Sequence, residues 1–181
     1  MATEIIQLNI EAWQPGHHDA TGFDCGDVRL NNFLQFSAKK QQKGRMTRVF
    51  VAVRPGQVNV LGYYTINVGA MDASSLAKPP RGTPGHNKIP ILFLGQVAVD
   101  QVVQGHRIGS HLMQHVFRKA WTIATEVGCY ALMLDVMPDD NEDIYSRRMN
   151  WYREFGFQNL ASKKNRMFLP IQKILQIIDA G

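Results

Sequence analysis

The chain has 181 residues, of which 45% are hydrophobic and 19% charged, and it carries a formal net charge of +5. That balance suits a globular chain with a sizeable core; it excludes a disordered one, and no apolar run approaches the roughly 18 residues a membrane helix needs. Cys25 and Cys129 cannot build a disulfide framework, and no CxxC pair points to zinc, so two reduced, mostly buried thiols are expected.

In chain order, Glu4 to Ile10 reads as a first strand. The opening Met1-Ala2-Thr3-Glu4-Ile5-Ile6 lacks the basic-then-apolar layout of a secretory leader, so cytoplasmic residence is expected. Asp24 or Asp27 is placed to cap a helix over Gly26 to Leu34, with Val28, Leu30, Phe33 and Leu34 as its apolar stripe and Phe36 extending it. Beyond it Lys39, Lys40, Lys43, Arg45 and Arg48 fall within ten residues. Such a cluster is ordinarily a solvated face, and it is also compatible with a polyanionic partner such as coenzyme A or RNA.

Thr47 to Val53 is β-branched and alternating, Pro55-Gly56 is a turn signal, and Val58 to Val68 is the return strand of a hairpin. Pro79, Pro80, Gly82, Pro84, Gly85 and Pro90 make Ala70 to Pro90 a loop. Ile91 to Val99 is a continuous apolar strand, expected to be buried on both faces. Ile108, Leu112, Val116 and Ala120 then recur at helical spacing, with Met113, Phe117 and Ala124 widening the stripe and Gly128 ending it. His111 and His115 are four apart on that helix. Gln114 replaces the glutamate of HExxH and no third ligand is evident, so they read as exposed histidines and no metal is expected. Tyr130 to Val136 is a further buried strand, and Asp139 to Phe155 is helical at least in its second half. Phe157 to Leu160 and Met167 to Leu169 form a closing hairpin, and Ile171 to Ile178 a tail helix. The pattern is α/β (α+β), a single domain over residues 1–181 with a mixed central sheet flanked by helices.

The most informative segment is the strand-to-helix turn between Leu94 and Met113. The first amides of a helix lack intrahelical partners, and the helix dipole adds partial positive charge there, so the turn can seat a pyrophosphate. Gly105 and Gly109 let the backbone come close. Neither a Walker A nor a GxGxxG pattern is present, and two glycines alone equally make an ordinary turn.

Gln104-Gly105-His106-Arg107-Ile108-Gly109 resembles the Q/R-x-x-G-x-G/A coenzyme A motif of the GNAT superfamily of acetyltransferases, with Arg107 where that motif has its first glycine. Leu94-Gly95-Gln96-Val97-Ala98-Val99-Asp100 is similar to that family's central strand, and Tyr152-Arg153-Glu154-Phe155-Gly156-Phe157 to its Y-x-x-x-G-F segment. The resemblance implies a GNAT-like fold and acetyl-CoA as cosubstrate. It implies that Val97, Ala98, Val99, Gln104, Gly105, His106, Arg107, Ile108, Gly109 and Ser110 bind it, with Asn141 near the pantetheine arm. Attack of an amine on the thioester makes an oxyanion, which amides near Val97 to Val99 would stabilise. It then expels a thiolate, for which Tyr152 is the implied proton donor and Tyr145 its rival.

Phe23-Asp24-Cys25-Gly26, Leu30-Asn31-Asn32-Phe33-Leu34, Leu61-Gly62-Tyr63-Tyr64 and the central strand follow the layout of the GNAT toxins of bacterial toxin–antitoxin pairs, over about residues 4 to 170. That resemblance implies acetylation of the α-amino group of aminoacyl-tRNA and a ribbon-helix-helix antitoxin as partner, and it suggests a homodimer; without an apolar run long enough to span a bilayer, no membrane association is expected. An α-amino group has a reference pKa near 7.7–8.0, against about 10.4 for lysine, and esterification should lower it further, so such an amine is substantially neutral at pH 7 and needs no strong base. Lys39 to Arg48, Arg147 and Arg148 would meet the RNA. Gln96 stands where these toxins carry arginine, and Met149-Asn150-Trp151-Tyr152 departs from their Ala-x-x-Phe-Tyr. Two other readings stay open: a metabolic GNAT acting on a small amine or protein lysine, and a non-catalytic domain that binds coenzyme A or a partner.

Overall fold

The computed structural model describes residues 6–179. Residues 1–5, which include Glu4 and Ile5 of the expected first strand and most of the opening segment read above for a leader, lie outside the described residues. The strands follow the order β1-β2-β3-β4-β5-β7-β6. The chain divides into two compact units, Met1–Asn67 with Gly95–Val116, and Val68–Leu94 with Phe117–Gly181.

In the first unit, β1 (Asn9–Ala12) pairs antiparallel with β2 (Arg48–Val53), and β2 with β3 (Gly62–Asp72). Strand β2 was expected to alternate, but Val49 to Val53 are all buried because both its faces are covered. The return strand begins at Gly62 rather than Val58. The intervening backbone is bonded elsewhere: Asp19 N–H donates to the Val58 carbonyl and Val60 N–H to the Asp19 carbonyl. The core gathers Trp13, Phe23, Leu34, Val49, Val51, Tyr63 and Ala98. A fully buried side chain such as Leu34 contributes about 1.5–3 kcal/mol.

The predicted helix is more elaborate than expected. Asp27, not Asp24, caps α1 (Val28–Asn32), its carboxylate accepting from Arg29 N–H. A π turn (Phe33–Ser37) follows and runs into α2 (Ala38–Lys43). The Ala38 N–H reaches back five residues to the Phe33 carbonyl. This wider turn buries Leu34 and Ala38 and swings Phe36 into solvent, 75% exposed. Phe36 therefore does not extend the apolar stripe, and Val28 is exposed as well.

The expected loop is shorter than its prolines suggest. β3 runs to Asp72 and a 3-10 turn occupies Ala73–Ser75, while β4 (Lys88–Val99) begins before Pro90. Proline is tolerated there, near a strand's start. In the second unit, β5 (Ala131–Asp135) lies parallel to β4, pairing Ile91–Leu94 with Ala131–Leu134. β5 pairs antiparallel with β7 (Lys163–Pro170), and β7 with β6 (Gln158–Leu160). The parallel pair beside antiparallel ones makes a mixed sheet, as expected. Helix α3 (Ile108–Glu126) buries Ile108, Leu112, Met113, Val116, Phe117 and Ala120, the stripe read from the sequence. Helices α4 (Glu142–Glu154) and α5 (Ile171–Asp179) complete the chain. No helix among the described residues is long and apolar enough to cross a membrane.

Candidate active site

Strand β4 was expected to be buried on both faces throughout. Its first half is: Ile89, Ile91, Leu92 and Leu94 are buried. From Gly95 to Val99 only Ala98 is. The register with β5 ends at Leu94, and β4 continues for five residues beyond it. The Asp100 N–H donates to the Leu61 carbonyl at 2.9 Å, toward the β3 side. Because amides alternate along a strand, those of Val97 and Val99 point to the opposite edge, past the last β4–β5 pair. That edge offers two outward donors to an acceptor lying along it.

The turn into α3 is held by side chains. Buried Asp100 accepts N–H groups from Val102 and from Asp24, each at 3.0 Å. The side-chain amide of Gln104 donates to the Val99 carbonyl at 2.9 Å and to the Cys25 carbonyl at 3.2 Å. These bonds strap the Phe23–Asp27 loop to the end of β4. Gln104 thus has its side chain in the clamp, and it borders the turn through its backbone. The His106 ring sits against the carbonyls of Val103 and Gln104, at 3.3 and 3.2 Å.

Arg107 caps α3: its carbonyl accepts the His111 N–H at 3.1 Å. Its φ is +60°, the left-handed conformation that glycine adopts freely and other residues at a cost of about 1–2 kcal/mol. This is the physical meaning of the motif's glycine at that position. The amides of Ile108, Gly109 and Ser110 precede the first intrahelical bond and meet no acceptor among the described residues. Gly105, at φ +84°, leaves open space where a Cβ would stand. Three free amides at the positive end of a 19-residue helix, beside an open glycine, fit a diphosphate.

In the second unit, Tyr152 lies on the last turn of α4 with its ring edge-on to Trp151 and Phe157. It is half-buried, and its hydroxyl donates to no other described residue. Burial pushes its hydroxyl up to about 12, against the opposing pull of the Arg148 guanidinium. Gly156, at φ +93°, closes the helix, its N–H donating to the Arg153 carbonyl. Asn141 is the cap of α4, its side-chain oxygen accepting from Asp143 and Ile144 N–H, so only its NH₂ is left for a ligand. Arg148 pairs with Asp139 at 3.1 Å, while Arg147 is exposed.

His115 departs from expectation. It is not an exposed histidine: its Nδ1 lies 2.8 Å from the buried Tyr64 hydroxyl, and its ring meets Phe50. His111 is exposed. Burial raises the thiols of both Cys25 and Cys129, which suits inert cysteines. Gln96, at the position where the resemblance led one to expect arginine, lies 2.8 Å from the Tyr63 hydroxyl, itself 2.8 Å from the Leu30 carbonyl. The phenol has one proton to give, so the Leu30 carbonyl and the Gln96 Oε1 compete for it. Sequence reasoning missed the Asp100 strap and the Tyr63–Gln96 contact. Nothing in local spacing joins residues so far apart.

The acetyltransferase (GNAT) family profile matches residues 8–157. The chain belongs to the GNAT acetyltransferase family. It is accordingly an N-acetyltransferase that uses acetyl-CoA. A curated relative, the probable toxin TacT of Sinorhizobium fredii (strain NBRC 101917 / NGR234), is 34% identical over 170 residues, 93% of this GNAT chain and 94% of its own length. A tyrosine-to-phenylalanine mutant of KacT is similar in structure, with a TM-score of 0.82 and 30% identity over 94% of this chain and 99% of that one. AtaT complexed with acetyl-methionyl-tRNAfMet has a TM-score of 0.81 and 26% identity, over 94% and 99% of the two chains. AtaT is also known as a mutant bound to acetyl-CoA and the C-terminus of the antitoxin AtaR.

Proposed function

We propose that this protein transfers the acetyl group of acetyl-CoA to the α-amino group of an aminoacyl-tRNA, as the toxin of a toxin–antitoxin pair. The observation that carries the reading is its likeness, over 94% of its length, to AtaT, whose solved complex holds acetyl-methionyl-tRNAfMet. The free amides of Ile108, Gly109 and Ser110 hold the diphosphate of coenzyme A, with Gly105 giving it room. The thioester lies along the open edge of β4, where the amides of Val97 and Val99 receive the oxyanion as the amine attacks. Such donors are fixed before the reaction and need no reorganisation, which is what makes them effective. Tyr152 donates to the departing sulfur, with Asn141 along the pantetheine arm. The attacking amine is neutral enough near pH 7 to react without a strong base.

This reading requires the cytoplasm, where charged tRNA is found. A ribbon-helix-helix antitoxin is the proposed partner, supported by the AtaT complex with the C-terminus of AtaR. The test is transfer of label from acetyl-CoA to aminoacyl-tRNAs, followed by digestion and identification of the N-acetyl amino acid. N-acetylated aminoacyl ester is the expected product. Label appearing on free amines and never on charged tRNA would refute the proposal.

A further inference from the structure

From Val28 to Met71 the chain carries seven basic side chains and no acidic one. Five of them, Lys39, Lys40, Lys43, Arg45 and Arg48, are exposed and make no ion pair among the described residues. Like charges crowded in one stretch of chain without counter-charges repel one another, and an anion from outside relieves that repulsion.

Two of these side chains, Lys40 and Lys43, border an apolar floor. Phe36 and Met46 are 75% and 67% exposed and line one open groove with Lys40, Gln41 and Lys43. Its volume, about 770 Å³, falls in the range that takes a small ligand. Phe36 is there because of the π turn, which carries it outward while Leu34 and Ala38 stay in the core. Gly44 and Arg45, the latter at φ +59°, then fold the chain back and bring Met46 alongside. An exposed aromatic ring between lysines is the arrangement that receives unpaired bases: each base has a face to stack, and each linking phosphate finds an ammonium group. A basic surface without an aromatic platform would hold duplex phosphates as well as single strands. An acidic protein segment could use the lysines but has no need of a ring that stacks flat.

We propose that the groove between Phe36 and Met46 docks unpaired RNA, one base stacked on Phe36 and its flanking phosphates on Lys40 and Lys43. This rests on the tRNA reading for its biological substrate and adds a contact outside the acetyl-transfer machinery. It makes RNA recognition separable from catalysis.

The experiment uses the full chain without acyl donor and an uncharged, fluorescein-labelled oligoadenylate of about eight nucleotides, within the length one such platform tracks. Anisotropy is read over a salt series, beside the same RNA annealed to its complement. Phe36→Ala should weaken binding of the unpaired RNA about tenfold and leave the slope of log K against log salt unchanged. Phe36→Tyr should bind like the wild type. Lys40→Ala and Lys43→Ala should each flatten the slope by about 0.7. Phe36 is on the surface, so its replacement leaves the core intact. Equal binding of unpaired and duplex RNA, or wild-type affinity in Phe36→Ala, would overturn the proposal and leave the groove to a protein partner. Because no acetyl group moves in this assay, the docking result stands whether or not charged tRNA proves to be the acceptor.

Discussion

Removing one oxygen from Tyr152 separates catalysis from stability. The hydroxyl donates to no other described residue, so Tyr152→Phe forfeits no protein hydrogen bond and should shift unfolding by less than about 0.5 kcal/mol. The effect on rate follows from the hydroxyl's acidity, which burial raises to about 12. A thiol has a reference pKa near 8.5, so full proton transfer from this phenol to a thiolate runs uphill by about 5 kcal/mol. On the proposed reading Tyr152 acts by hydrogen-bonding the sulfur as charge develops, and the proton comes finally from the nitrogen that has become an ammonium. A hydrogen bond to a charged group contributes about 1.5–3 kcal/mol, which corresponds to a fall in kcat of about 10- to 150-fold. The raised value also keeps the phenol protonated as pH rises, so no basic limb belonging to it should appear below about pH 10. Stopped-flow thiol release at saturating acetyl-CoA and a parallel melt would measure both quantities. A loss under about threefold would remove Tyr152 from the sulfur, and one beyond about 10⁴ would require the complete proton transfer argued against here.

Arg107→Gly should raise the melting temperature by about 1–4 °C, because relief of the left-handed conformation outweighs the greater freedom of an unfolded glycine; Arg107→Ala keeps the strain and should show no gain. The Arg166 guanidinium, with Lys163 alongside, holds the Asp135 carboxyl below the usual carboxylate range, so this cluster stabilises the fold above that range and loses its effect as pH falls through the lowered value. Asp135→Asn should therefore cost about 1 kcal/mol in urea unfolding at pH 7 and much less near pH 3.

What the sequence made legible follows from the range over which its signals act. The stripe of α3 and the closing hairpin are local signals, and both elements form, though the hairpin's second strand starts at Lys163 rather than Met167. The Gln104–Gly109 turn was legible by resemblance, and the free amides of Ile108 to Ser110 follow from helix geometry. The π turn was not legible, because five-residue hydrogen bonding leaves no compositional mark and places Phe36 against its apparent period. Nor was the start of β3. Its position depends on Asp19 capturing the backbone on either side of Asn59, a contact between distant parts of the chain. The histidines failed for the same reason: His115 is distinguished from His111 only by Tyr64 and Phe50 beside it.

The first compact unit is assembled from two stretches of chain separated by residues 68–94. A ribosome delivers those stretches in order, so the loop at Asp24 must wait, tethered but unfinished, until Asp100 and Gln104 have been synthesised to anchor it. The turn that precedes α3 thus cannot be strapped into place while the early half of the chain alone is emerging from the ribosome.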